Sequence, residues 1–91
     1  MGQIITFGEV LMRISPRGNK KFVQSNIVEF YFGGTELNVG ISISNFGIKV
    51  KHISAVSDDF IGDTAMTYIR KFGVDTSCIV KSKRPLGVYF L

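Results

Sequence analysis

Hydrophobic and polar positions alternate in short runs over the first third of the chain and settle into longer repeats after it. Residues 4–7, Ile-Ile-Thr-Phe, predict a first strand closed by Gly8. Residues 10–14 continue it, with Val10, Met12 and Ile14 on one face and Leu11 and Arg13 on the other. A turn follows at Pro16-Arg17-Gly18, then further strand at Phe22-Val23 and residues 27–32, broken at Ser25-Asn26. Residues 37–43 fit two periods. Leu37, Val39, Ile41 and Ile43 alternate as in a strand, whereas Val39, Ile43 and Phe46 share a helical face, with Thr35 as cap and Gly47 as stop. Residues 49–56 predict a strand. Residues 59–72 predict a helix, with Ile61, Ala65, Tyr68, Ile69 and Phe72 as one stripe ended by Gly73. Residues 77–80 are the next strand, and 87–91 are an apolar, β-prone run. Strand, helix, strand in that order predicts a βαβ unit feeding a parallel sheet by right-handed crossover, hence an α/β fold.

The densest chemical signal is Gly33-Gly34-Thr35-Glu36-Leu37-Asn38. Glycines let a ligand approach the backbone N–H groups, Thr35 can cap a helix behind them, and Asn38 adds a donor and an acceptor to the same corner. The alternative is a glycine-rich turn before a buried helix, with Asn38 bonded to backbone. Glu9, directly after the Gly8 turn, can accept hydrogen bonds from hydroxyl groups, or stand as an exposed charge at a strand end.

The run from Gly33 to Gly40, then Phe46-Gly47, then Val56-Ser57-Asp58-Asp59-Phe60-Ile61-Gly62-Asp63 resembles the first signature of the ribokinase-like carbohydrate kinases. The same eight residues that separate Asn38 from Gly47 separate the Asn and Gly there, while Glu36, Gly40 and Ser57 depart from the commonest form. Glu36, the opening from Ile5 to Pro16 and the close from Arg84 to Leu91 are similar to the branch that phosphorylates 2-keto-3-deoxygluconate. The resemblance implies an N-terminal βαβ portion with a small β-sheet lid over the sugar, lid strands at about 9–32, and chooses helix for residues 37–43. It implies sugar contacts from Glu9, Gly33, Gly34 and Asn38, with the diglycine as lid hinge, and from Tyr89 at the keto-acid end; the alternative for Tyr89 is a core strand residue. It also implies ATP and a divalent cation, Mg, for the whole protein.

Family members run to roughly three hundred residues, near the upper size of one core, and this chain has 91. The expectation is one incomplete domain over residues 1–91, the sugar-binding part of a kinase and inactive alone. The family's catalytic aspartate motif is absent, as is any G-x-x-x-x-G-K-[ST] loop, so neither a catalytic nor a cofactor-binding residue is expected within it. The rival from another class is a non-catalytic module pairing through exposed strand edges, with itself or with a complementary fragment. A third reading is a fructokinase or another sugar kinase of the family. Lids of this family often pair between subunits, so a homodimer is expected.

Composition narrows the partners. The net charge of +4 is spread over several segments, the densest being residues 17–21 and 81–84, which are expected to be solvated loops. No basic face interleaved with stacking aromatics is visible, which excludes nucleic acid. No apolar run approaches a membrane span and no signal peptide opens the chain, so a cytoplasmic protein is expected. Asp58, Asp59 and Asp63 are expected to cap and flank a helix start and not to hold a metal. His52 and the single Cys78 are expected to be structural, Cys78 as a small packed side chain.

Overall fold

A computed structural model describes residues 2–18, 21 and 26–90. The elements run β1 (Ile4–Phe7), β2 (Leu11–Pro16), β3 (Val28–Gly33), α1 (Thr35–Ser44), β4 (Val50–Ser57), α2 (Phe60–Lys71), β5 (Ile79–Ser82) and β6 (Gly87–Phe90). They form two three-stranded sheets, ordered β1-β4-β5 and β3-β2-β6. The first is wholly parallel; in the second, β2 pairs antiparallel with β3 and parallel with β6. Phe22-Val23 lies outside the described residues.

The reading of 10–14 as a continuation of the first strand is corrected. The chain leaves the parallel sheet at Gly8 and enters the second sheet at Leu11. The alternation within it holds. Met12 and Ile14 stand opposite Phe32 and Phe30, while Leu11 and Arg13 stand opposite Gly33 and Tyr31.

Both helices cover one side of the parallel sheet. Leu37, Val50, Val56, Ala65 and Ile69 form the centre of the core there. The expected stripe on α2 is present, with Ala65 and Ile69 buried and Ile61 and Tyr68 packed against them. The stripe expected on α1 is not: Val39 and Phe46 are exposed, and the buried positions are Leu37 and Gly40. Gly40 explains the difference. A Cβ there would sit 3.2 Å from Thr6 Oγ1 and Val50 Cγ1, so the helix approaches β1 and β4 along a face that includes a glycine. The sheet's other side leaves Ile5, Phe7 and Val80 exposed.

Asp59 caps α2, its carboxylate accepting from the Gly62 N–H at 3.0 Å and the Ser57 hydroxyl at 2.7 Å. Those two donors, the Gly62 N–H first, hold its carboxyl below the usual carboxylate range. Asp63 in the first turn pairs with Lys81. Lys81 and Ser82 belong to β5, opposite Val56 and Ser57 of β4, and not to a loop. The strand starts two residues later than expected, because Asp75 Oδ1 takes the Ser77 N–H at 2.8 Å in a turn. Cys78 is exposed, not packed.

An aromatic chain ties the second sheet to the helical layer. Phe30 meets Phe32 at 5.7 Å between ring centroids, Phe32 meets Tyr68 at 5.6 Å, and Tyr68 meets Phe72 at 5.0 Å. Geometries of this kind add to simple area burial. On the Met12 side of the second sheet, Met12 and Phe32 are thereby committed to packing.

Candidate sugar-binding corner

The site lies where β1 ends and the chain crosses to β2. Ligands of parallel α/β sheets bind beyond the carboxyl ends of the strands, and Gly8-Glu9 occupies that place. A cavity of about 290 Å³ opens there, lined by Glu9, Ser57, Ser82, Arg84 and Gly87 among others.

Missing side chains hold the corner together. Gly34 has φ +133°, and a Cβ on it would collide with the Glu9 carbonyl. A Cβ on Gly33 would meet Asn38 Oδ1 at 3.2 Å, and one on Gly8 would meet the Glu36 carboxyl carbon at 2.7 Å. Across the second sheet Gly33, Leu11 and Gly87 form one row. A Cβ on Gly87 would stand 3.1 Å from Glu9 Oε2, so this row carries the Glu9 carboxylate.

Of the expected site residues, Glu9 alone lines this cavity. Gly33, Gly34 and Asn38 do not line the cavity. They form its neighbouring wall, joined to it through Glu9. Tyr89 is two residues beyond Gly87 on β6, on the same face and half-exposed, so it is no core tyrosine. Thr35 does not cap α1. Gly34 is the N-cap, with no side-chain cap bond, and the helix opens with the Asn38 N–H donating to the Gly34 carbonyl at 2.8 Å. A glycine forced to φ +133° for the Glu9 contact fills the capping position and has no side chain to cap with.

Among the described residues, neither the Glu9 carboxylate nor the Asn38 amide makes a hydrogen bond or ion pair. Asn38 is therefore not the backbone-bonded residue that a plain turn would have. Asp59 and Asp63 show the contrast, since both are engaged in capping or pairing. Neutral polar groups and a carboxylate left open at a strand end suit a polyhydroxylated ligand. Among the described residues, no His, Cys, Asp and Glu side chains group in a way that could hold a metal ion.

His52 is the buried polar residue behind this corner, fully inaccessible on β4. Its Nε2 lies 3.1 Å from the Gly8 carbonyl, which can only accept, so the proton is on Nε2. Nδ1 then accepts from the Thr6 hydroxyl at 2.6 Å. The ring ties the end of β1 to β4, directly before Glu9. Burial pushes the imidazole below its ordinary value, opposed by the Gly8 bond and the Glu36 charge. A group whose folded value is depressed contributes stability that is complete above the unfolded value of about 6.5 and is lost as pH falls below it. Urea unfolding should therefore show stability declining with acidification below about 6.5, and His52→Gln should flatten that part of the profile. An unchanged slope in the variant would assign the acid sensitivity to another group.

Arg13 escaped the reading of the sequence as a site residue. Its signal was a cation alternating onto the same face as Leu11, but the strand pairing that places it beside Tyr89 is long-range.

Known proteins bear on this geometry. The model of the pfkB family carbohydrate kinases matches residues 1–91. The 5-dehydro-2-deoxygluconokinase of Clostridium perfringens is 33% identical over 96% of this chain, which spans 27% of that enzyme. The 2-dehydro-3-deoxygluconokinase of Thermotoga maritima superposes with TM-score 0.94 and 32% identity, over 98% of this chain and 27% of its own. A sugar kinase of Pyrococcus horikoshii, solved in complex with ATP, has TM-score 0.86 and 31% identity, over 96% of this chain and 29% of its own. The chain's fold agrees with these kinases as one arrangement, and the chain belongs to the pfkB family of carbohydrate kinases, with their ribokinase-like α/β fold.

Proposed function

We propose that this chain is the sugar-binding N-terminal part of an ATP-dependent kinase that phosphorylates a keto sugar acid, 2-keto-3-deoxygluconate before others. The open polar groups of Glu9 and Asn38 carry the reading, set beside a diglycine that lets a sugar reach the backbone. Two relatives named for dehydro-deoxygluconate substrates support the acid. The kinase solved with ATP supports the donor. ATP and Mg supply the phosphoryl group and neutralise its charge. The sequence has no G-x-x-x-x-G-K-[ST] phosphate loop. Both ATP and Mg are assigned to the remainder of the whole protein.

What this chain's residues do is hold the acceptor. Glu9 and Asn38 bond sugar hydroxyls, Gly33 and Gly34 let the ring approach and act as the hinge, and Tyr89 meets the keto-acid end. The second sheet serves as the lid and excludes water, so that the phosphoryl group reaches the sugar and is not hydrolysed. The exposed Ile5, Phe7 and Val80 support a larger whole, since parallel sheets are ordinarily covered on both faces.

The test is a coupled ATP assay on the full-length protein and on the 91-residue chain, with 2-keto-3-deoxygluconate, 5-keto-2-deoxygluconate and fructose. The full-length protein should turn over the first with the highest kcat/KM and the isolated chain should turn over none. A preference for fructose would replace the acid reading with the fructokinase one.

One observation favours self-association as a second property. Phe30, Val88 and Phe90 share the packing face of the lid yet are exposed. Lid-to-lid pairing of two copies would cover them.

A further inference from the structure

Beyond the contacts proposed above, the second sheet holds an uncommitted cation. Arg13 stands between Tyr31 and Tyr89 in one row across β3, β2 and β6. Its guanidinium lies over the Tyr31 ring, 4.6 Å from the centroid. Its Nε is shut off from water and has no hydrogen-bond partner. Among the described residues the guanidinium makes no ion pair either. Two acids stand one row away on that face, Glu29 opposite Ser15 and the Glu9 carboxylate at Gly87, and neither forms an ion pair with Arg13. Glu29 is taken, accepting from the Tyr31 hydroxyl and lying 4.0 Å from Arg17. Leaving a charged donor unmatched is costly, and a fold tolerates it where a ligand will supply the acceptor.

The position fits a particular part of the ligand. Arg13 is two residues along β2 from Leu11, whose row carries the Glu9 carboxylate at Gly87. That step is about 7 Å along the strand, so a sugar held at one end by Glu9 presents its other end to Arg13 and Tyr89. A carboxylate offers two coplanar acceptors to the guanidinium fork.

We propose that Arg13 is a specificity-determining residue that receives the carboxylate of the sugar acid on the lid. The inference rests on the proposed kinase reading and adds to it a lid residue that discriminates acid from neutral sugar.

Full-length wild type, Arg13→Met and Arg13→Lys are compared for kcat and KM with 2-keto-3-deoxygluconate and with its neutral counterpart, in which the carboxylate is reduced to an alcohol. Where the alcohol is phosphorylated too slowly, its inhibition constant against the acid serves instead. KM for ATP is measured alongside. Arg13→Met should lower kcat/KM for the acid by about 10- to 100-fold, leaving the alcohol and ATP values unchanged. Arg13→Lys, which keeps the charge without the fork, should lose about tenfold. No loss, an equal loss on acid and alcohol, or a change confined to ATP would each overturn the proposal. If Arg13→Met fails to fold, Arg13→Lys decides by the same comparison. A wild type that phosphorylates no sugar acid would instead sink the kinase reading, and this inference with it. A wild type active on the acid with a non-discriminating variant would sink this inference alone.

Discussion

Replacing Gly34 by alanine should all but abolish phosphorylation by the full-length kinase, lowering kcat/KM at least about 100-fold, and should destabilise it by about 2 to 4 kcal/mol. Two costs combine. The backbone at φ +133° and ψ 149° is nearly closed to residues with a Cβ, and the added methyl points into the Glu9 carbonyl. The collision is with backbone, so no rotamer change relieves it. Either α1 or the Gly8-Glu9 crossover must move, and each carries part of the proposed sugar site. Gly47 separates the two costs. It also has positive φ, +82°, but nothing lies within 4 Å of its would-be Cβ. Gly47→Ala should therefore lose about 1 kcal/mol of stability and keep its turnover. Equal activity in Gly34→Ala and wild type, measured where both are folded, would remove the corner from the site.

The elements were legible where one periodicity dominated. The α2 stripe, its Asp59 cap and the parallel pairing of β4 with β5 all follow from local pattern and helix-end chemistry. Less legible was anything decided by pairing across the chain. Residues 4–14 read as one strand because nothing local marks a change of sheet. Gly8 marks a break, but only its contact with Glu36 shows why the chain must turn there. The buried face of α1 was misread because apolar counting passes over Gly40, which is buried for closeness and not for hydrophobicity. Thr35 has a capping side chain in a capping context, yet the φ that the Glu9 contact imposes on Gly34 put the helix start one residue earlier.

The site divides in the same way. Glu9, Gly33, Gly34 and Asn38 could be proposed from the sequence because their types and spacing are short-range. Arg13 was not, since its meaning depends on Tyr31 and Tyr89, eighteen and seventy-six positions away in the chain, standing opposite it in the sheet. Its lack of an ion pair is also a three-dimensional property: Glu29 is engaged by Tyr31 and Arg17, and Glu9 stands one row away.

Gly62 offers a comparably large effect on stability, and one whose sign opposes helix propensity. It sits in the first turn of α2, where alanine in place of glycine ordinarily stabilises by about 1 kcal/mol. Here the Cβ would be driven into the Ser57 carbonyl, with the Ser57 carbonyl carbon 2.8 Å away and its nitrogen 3.2 Å away. These are again backbone atoms, at the end of the central strand β4. Nor can the helix simply slide outward. The Gly62 N–H is the one the Asp59 cap accepts, and that cap also takes the Ser57 hydroxyl, so strand end, cap and helix start form one closed set of bonds. Overpacking of about 1 to 3 kcal/mol then adds to a cap worth about 1. Gly62→Ala should thus cost about 2 to 4 kcal/mol, read as a fall in the urea midpoint at unchanged slope. Because Ser57 lines the same cavity as Glu9, the variant that does fold should bind sugar more weakly. A Gly62→Ala protein as stable as wild type would show that the strand–helix junction is looser than this packing, and that propensity governs the start of α2 after all.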